Sequence, residues 1–118
     1  MGEYMMQDEH DEIIVRQSNG PVLEFAGRML AEAQRRNRDN AARSTIWRVW
    51  ETRGGAYITE FIRASEAVGE QDFIIAKVIP PGGDEMTRRC AVMDAFEWSL
   101  FPRRMLKDIG WVFRIRVE

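Results

Sequence analysis

The sequence predicts an α+β domain: an antiparallel sheet of four to six strands with one main C-terminal helix packed on it. Three observations carry that prediction. Two runs rich in β-branched and aromatic residues, one through Ile46, Trp47, Val49 and Trp50 and one from Tyr57 to Ile62, flank Arg53-Gly54-Gly55-Ala56. That is the pattern of a β-hairpin whose turn needs a positive φ. Asp72 to Ile79 forms a further apolar run, stopped by Pro80-Pro81-Gly82-Gly83. Beyond it, Met86, Cys90, Met93, Phe96 and Leu100 recur at helical spacing behind Asp84, a residue suited to cap the first turn.

Before the hairpin, Ile13-Ile14-Val15 is a short β-branched run, and Ser18-Asn19-Gly20-Pro21 is a turn signal. Residues 22–34 allow two readings. Val22, Phe25, Ala26, Met29, Leu30 and Ala33 fall at helical spacing, whereas Leu23, Phe25, Gly27, Met29, Ala31 and Ala33 alternate as one face of a strand. Arg35 to Arg43 is polar and basic and reads as an exposed loop. In the C-terminal part, Pro102 ends or kinks the main helix of residues 84–101, Arg103 to Asp108 can add another turn with Gly110 as its stop, and residues 111–117 read as a terminal strand.

A chain of 118 residues is one domain's worth, and 45% hydrophobic with 31% charged residues is a globular composition. Such a chain can hide about two-thirds of its surface, so its core needs no covalent staple. Residues 1–10 are expected to be a flexible acidic tail and 11–118 a single domain. Cys90, the single cysteine, permits no internal disulfide and lies in the apolar helical pattern, where a buried packing thiol is expected. The start of the chain is acidic where a secretory signal would be basic and apolar, and no apolar run approaches the ~20 residues of a membrane span. The expectation is a cytoplasmic protein without a membrane partner.

The residues point away from catalysis. His10, the one histidine, sits in the acidic tail, and a general base must be held rigidly within about 3 Å of its proton. Zinc asks for several Cys or His ligands at set spacings. Gly54-Gly55 and Gly82-Gly83 lack the Lys-Ser/Thr of a phosphate loop. The pairs Asp84/Glu85 and Asp94/Glu97 read as a solvated helix face. No enzyme activity, cofactor or metal is expected.

Arginine is the compositional signal. Of 17 basic residues 15 are Arg, and seven of them fall between Arg28 and Arg53. Their planar, five-donor forks suit phosphate and carboxylate alike, although a GC-rich genome would also raise Arg content. Arg35, Arg36, Arg38 and Arg43 in the basic loop, with Arg48 and Trp50 on the strand that follows, form the candidate partner-binding surface. Trp47 and Trp50 fall on opposite strand faces, so one belongs to the core. Trp111 is a second candidate anchor, and the Arg88/Arg89 and Arg103/Arg104 pairs are expected on the outer surface of the helical segment.

The stretch Phe25-Ala26-Gly27-Arg28-Met29-Leu30-Ala31-Glu32-Ala33, with Trp47 and Arg53-Gly54-Gly55-Ala56-Tyr57, resembles a loosely defined group of small prokaryotic proteins. In that group an F-x-G-x-L-L-A-E-A-like segment precedes a Trp/Arg-rich strand, a Gly-Gly turn and a Tyr-led strand. The resemblance covers roughly 40 of the 118 residues and departs after Ala33, where Gln34-Arg35-Arg36 replaces a Ser-rich segment. It implies the strand reading for residues 23–34 and an origin on a phage or mobile element, and it carries over no catalytic residue. The functional expectation is a non-enzymatic protein-binding module, one concrete form being an anti-CRISPR-like inhibitor of a host defence system. The alternative is a single-stranded nucleic-acid-binding protein using the Arg and Trp surface. Oligomeric state is not legible.

Overall fold

The computed structural model describes residues 10–118. The expected acidic tail lies outside the described residues except for His10. Five strands, β1 (Asp11–Arg16), β2 (Val22–Arg36), β3 (Arg43–Thr52), β4 (Tyr57–Ser65) and β5 (Phe73–Ile79), form one antiparallel meander in chain order. Two helices follow, α1 (Glu85–Ala95) and α2 (Leu100–Asp108). The class is the α+β expected, with five strands. No helix among the described residues is long and apolar enough to cross a membrane.

The sheet is strongly curled. The segment after β1 reaches β5: Ser18 N–H donates to the Ile74 carbonyl (2.9 Å), Ile74 N–H to Ser18 Oγ (2.8 Å) and Ala76 N–H to Gln17 Oε1 (3.0 Å). The inner face closes on a small core of Val15, Ile58 and Ala76, with Leu23, Phe25 and Trp50 packed against it. The outer face carries the helices and the larger core, in which Trp47, Val49, Tyr57 and Ile79 of the sheet meet Val92, Met93, Phe96, Met105, Leu106 and Trp111.

Residues 22–34 are strand, and the simple alternation expected of them breaks in the middle. Met29 opposes Trp50 and Ala31 opposes Val49, so Leu30 is an extra residue, a β-bulge. A one-residue insertion exchanges the faces of everything beyond it, because the side-chain period is two. Leu23 and Phe25 therefore belong to the inner core, while Ala31 and Ala33 lie under the helices. The strand also runs further than the loop boundary expected, and places Arg35 and Arg36 on β2.

The hairpin forms as expected, with Gly55 at φ 90°. Asp84 caps α1, its Oδ2 accepting from Thr87 N–H at 2.9 Å. The main helix expected over 84–101 ends early, at Ala95, and the further turn expected over Arg103 to Asp108 is a second helix that already starts at Leu100. Trp98 N–H bonds the Met93 carbonyl and Glu97 N–H the Asp94 carbonyl, the Schellman pattern that ends a helix. Pro102 sits in the first turn of α2, where its missing N–H has no intrahelical partner to lose, so it begins a helix rather than ending one. Residues 111–117 form no strand. Trp111 is buried against Tyr57, ring centroids 5.1 Å apart, and Arg114 N–H meets Met86 Sδ, which leaves that segment beside the helices and off the sheet.

The two helix ends differ in chemistry. Gly110 ends α2 at φ 94°, whereas α1 ends through Glu97 and Trp98, both at φ 55°. A side chain in the left-handed region costs roughly 1–2 kcal/mol, and Gly escapes that cost. Glu97→Gly should therefore raise stability by about 1 kcal/mol, after the extra freedom that Gly brings to the unfolded chain. A denaturant midpoint that stays or falls at constant m-value would rule this out.

Arg88 and Arg89 depart from the outer-surface expectation. Arg88 lies over the Tyr57 ring at 4.6 Å, bonds the carbonyls of Pro80 and Gly55, and pairs with Glu85 at 2.7 Å. Arg89 lies over Trp111 at 4.9 Å. Tyr57 O–H donates to Glu85 Oε1 at 2.5 Å, which closes the cluster that fastens α1 to the hairpin. The Tyr57 hydrogen bond, reinforced by the charges of Arg88 and Arg89, holds the Glu85 carboxyl below its usual range. A depressed carboxylate stabilises the fold fully above its unfolded pKa, about 4.3, and that contribution fades as pH falls through the lower folded value. Glu85→Gln should thus be less stable at pH 6 and lose stability less steeply below about pH 4. Parallel acid limbs for the two proteins would count against the cluster's role.

Candidate nucleic-acid interface

The antiparallel register builds rows of side chains across the outer face. One row runs Arg35, Thr45, Arg63, Phe73 from β2 to β5; the next runs Ala33, Trp47, Phe61, Ile75. Lys77 follows on β5, opposite Thr59. Helix α2 packs on β2 and β3, and α1 on β4 and β5 near the hairpin end. Arg35, Arg63, Ile75 and Lys77 remain exposed, with Phe61 and Phe73 half-buried between them. Beside Phe61 on the same face, Trp47 stacks on Phe101 with planes 2° apart and centroids at 5.6 Å, and meets Phe61 edge-on at 6.1 Å.

This uncovered part of the sheet is a trough. A cleft of about 280 Å³ at Arg35, Arg38 and Thr45 adjoins one of about 380 Å³ that includes Arg43, Thr45, Arg63 and Phe73. The second shares Arg63 and Phe73 with a cleft of about 350 Å³ over Trp47, Phe61, Ile75 and Lys77. Arg35 lies 5.8 Å from the Phe101 ring centre and Arg63 5.7 Å from that of Phe61. Among the described residues, Arg35, Arg38, Arg63 and Lys77 form no ion pair. Asp39 and Glu97 line the outer clefts, and Glu70 at the centre is paired with Arg43 at 2.9 Å. Hydrogen bonds from Ser65 and from Arg43 hold the Glu70 carboxyl below its usual range.

The six residues singled out from sequence separate into two groups. Arg35, Arg38 and Arg43 line the trough. Arg36 alternates with Arg35 and spends a guanidinium N–H on the Ala41 carbonyl at 3.1 Å, closing its own loop. Arg48 and Trp50 lie on the inner face. Arg48 Nε is 2.5 Å from Glu32 Oε2 and its Nη1 is 3.7 Å from buried Glu60. Trp50 donates its indole N–H to Glu60 Oε1 at 3.0 Å and meets Phe25 edge-on at 6.1 Å. Trp47 and Trp50 do occupy opposite faces, as expected, with Trp47 the more deeply buried.

Sequence reading missed Phe61, Arg63, Phe73 and Lys77. Their shared parity within each strand is visible in the sequence. That their rows meet Arg35 is set by inter-strand register. Cys90 is buried as expected, and burial first, then the carboxylates of Asp94 and Asp84, push its thiol pKa up, away from reactivity. Among the described residues no three His, Cys, Asp or Glu converge to hold a metal ion. The trough offers unpaired cations beside aromatic faces, a chemistry for binding planar groups on an anionic chain. Comparison with protein-family models, with curated proteins and with solved structures finds no match for this chain.

Proposed function

We propose that this chain is a non-enzymatic binding module whose outer-face trough takes single-stranded nucleic acid. The observation that carries the reading is a set of ion-pair-free cations, Arg35, Arg63 and Lys77, on the same outer sheet face as the half-buried rings of Phe61 and Phe73. Single strands are bound by a positive groove that follows the phosphates and by aromatic rings on which bases stack. From β2 to β5 the trough spans three strand spacings, about 14 Å, room for two or three nucleotides. The overall charge of −2 does not oppose this. Of 19 acids, five lie in the first twelve residues, leaving 14 against all 17 Lys and Arg in the remainder.

A protein partner, such as the defence-system target expected from the resemblance, is the alternative occupant. Its candidate anchors are engaged elsewhere: Trp50 by Glu60 and Phe25, Trp111 by the helical core. Fluorescence anisotropy with a labelled oligothymidine of about twelve nucleotides separates the two. At 50 mM salt the single strand should bind at least about tenfold more tightly than a duplex of equal length, whose bases cannot reach the floor. No single-strand binding at that salt would sink the reading. Stoichiometric recovery of a protein alongside that negative result would transfer the trough to a protein partner.

A further inference from the structure

The joint between the helices builds a second site, separate from the trough. Helix α1 ends through two consecutive left-handed residues that are not glycine, and the second is Trp98. Strain of this kind survives where its product is used. Here the product is the placement of one ring. Trp98 donates its indole N–H to Asp94 Oδ1 at 2.7 Å and meets Phe113 edge-on at 5.4 Å, yet keeps 38% of its surface exposed. It borders a cleft of about 490 Å³ that also presents Arg103, Lys107 and Arg114. Among the described residues these three cations form no ion pair. Buried Trp111 and half-buried Phe113 supply the apolar wall.

We propose that this cleft binds an aromatic base carrying a phosphate, either a free nucleoside monophosphate or the phosphorylated end of a strand. A pinned indole offers a stacking surface, and three cations line the same cleft and can pair with the phosphate. The volume falls within the range of small-ligand sites. A bare anion would have no use for the ring, and a neutral aromatic none for the cations.

Adenosine 5′-monophosphate, adenosine and inorganic phosphate are titrated separately against the full chain, following the Trp98 indole N–H resonance, assigned through Trp98→Phe. The monophosphate should saturate at submillimolar concentration, and adenosine or phosphate alone should bind at least about tenfold more weakly. Trp98→Ala, and separately Arg103→Gln with Lys107→Gln, should each cost about tenfold or more in monophosphate affinity measured by equilibrium dialysis, with circular dichroism unchanged. Arg63→Glu, in the trough, should leave that affinity alone, so the two sites fail independently. A 5′-phosphorylated oligonucleotide that shifts the Trp98 resonance where its dephosphorylated twin does not would assign the cleft to strand ends. A shift with the monophosphate alone would assign it to free nucleotide. If neither ligand saturates, or if binding survives both the Trp98 and the Arg103/Lys107 variants, the site does not exist.

Discussion

Reversing Arg35 and Arg63 together to glutamate should weaken single-strand binding by about 100-fold at 50 mM salt. Each phosphate neutralised on a single strand contributes a slope of about −0.7 in log affinity against log salt, worth about eightfold per contact at 50 mM. Two lost contacts give about 60-fold, and like-charge repulsion adds to it. The salt titration separates this from unfolding. Four cations, Arg35, Arg38, Arg63 and Lys77, correspond to a slope near −2.8, so affinity should fall about 50-fold between 50 and 200 mM salt. The double variant should show a slope near −1.4 and only about a sevenfold fall. Both residues are exposed and pair with no carboxylate among the described residues, so the fold should tolerate the change. Arg48→Gln, on the inner face, is the matched control and should leave the slope untouched. Equal slopes for wild type and the double variant would dismiss the trough.

Trp47→Ala carries the largest expected stability effect, about 3–5 kcal/mol, as for other buried aromatic truncations. Trp47 is 7% exposed, stacks on Phe101, meets Phe61 edge-on, and links β3 to α2. Domains of this size hold about 5–15 kcal/mol in total, so the variant should lie close to the unfolding threshold and melt about 10–20 °C lower. Trp47→Phe should recover part of that loss by keeping a ring against Phe101. Because the same indole meets Phe61 edge-on, Trp47→Phe should also weaken strand binding modestly while leaving its salt slope alone. An alanine variant within about 1 kcal/mol of wild type would show that the stacked pair contributes little.

The features legible in the sequence were those whose causes are local. Asp84 and Thr87 cap a helix because they are three residues apart. Gly55 turns the hairpin because no side chain opposes a positive φ there. The α+β class followed from runs and stops that each occupy fewer than twenty residues. The helix break was not legible, because Glu97 and Trp98 carry no sequence mark of a left-handed pair; Gly would have. Nor was the absence of a terminal strand, since the alternation in residues 111–117 is strand-like and only Trp111's place in the helical core draws it off the sheet.

The candidate site was half legible for the same reason. Composition put arginines between residues 28 and 53, and that much needs no structure. Which of them share a face depends on the Leu30 bulge, which exchanges the faces of β2, and on a register that aligns Arg35 with Thr45, Arg63 and Phe73. Arg48 and Trp50, neighbours of the cluster in sequence, alternate with Trp47 on β3 and face inward onto Glu60, while the register brings Arg63 and Phe73, distant in sequence, beside Arg35. By itself the sequence determined a mixed domain with a hairpin, a capped helix and an arginine surplus, because propensity, capping and charge are properties of short stretches. Only the tertiary structure decided which cations and rings share a surface, because strand register and helix coverage are pairings between distant segments.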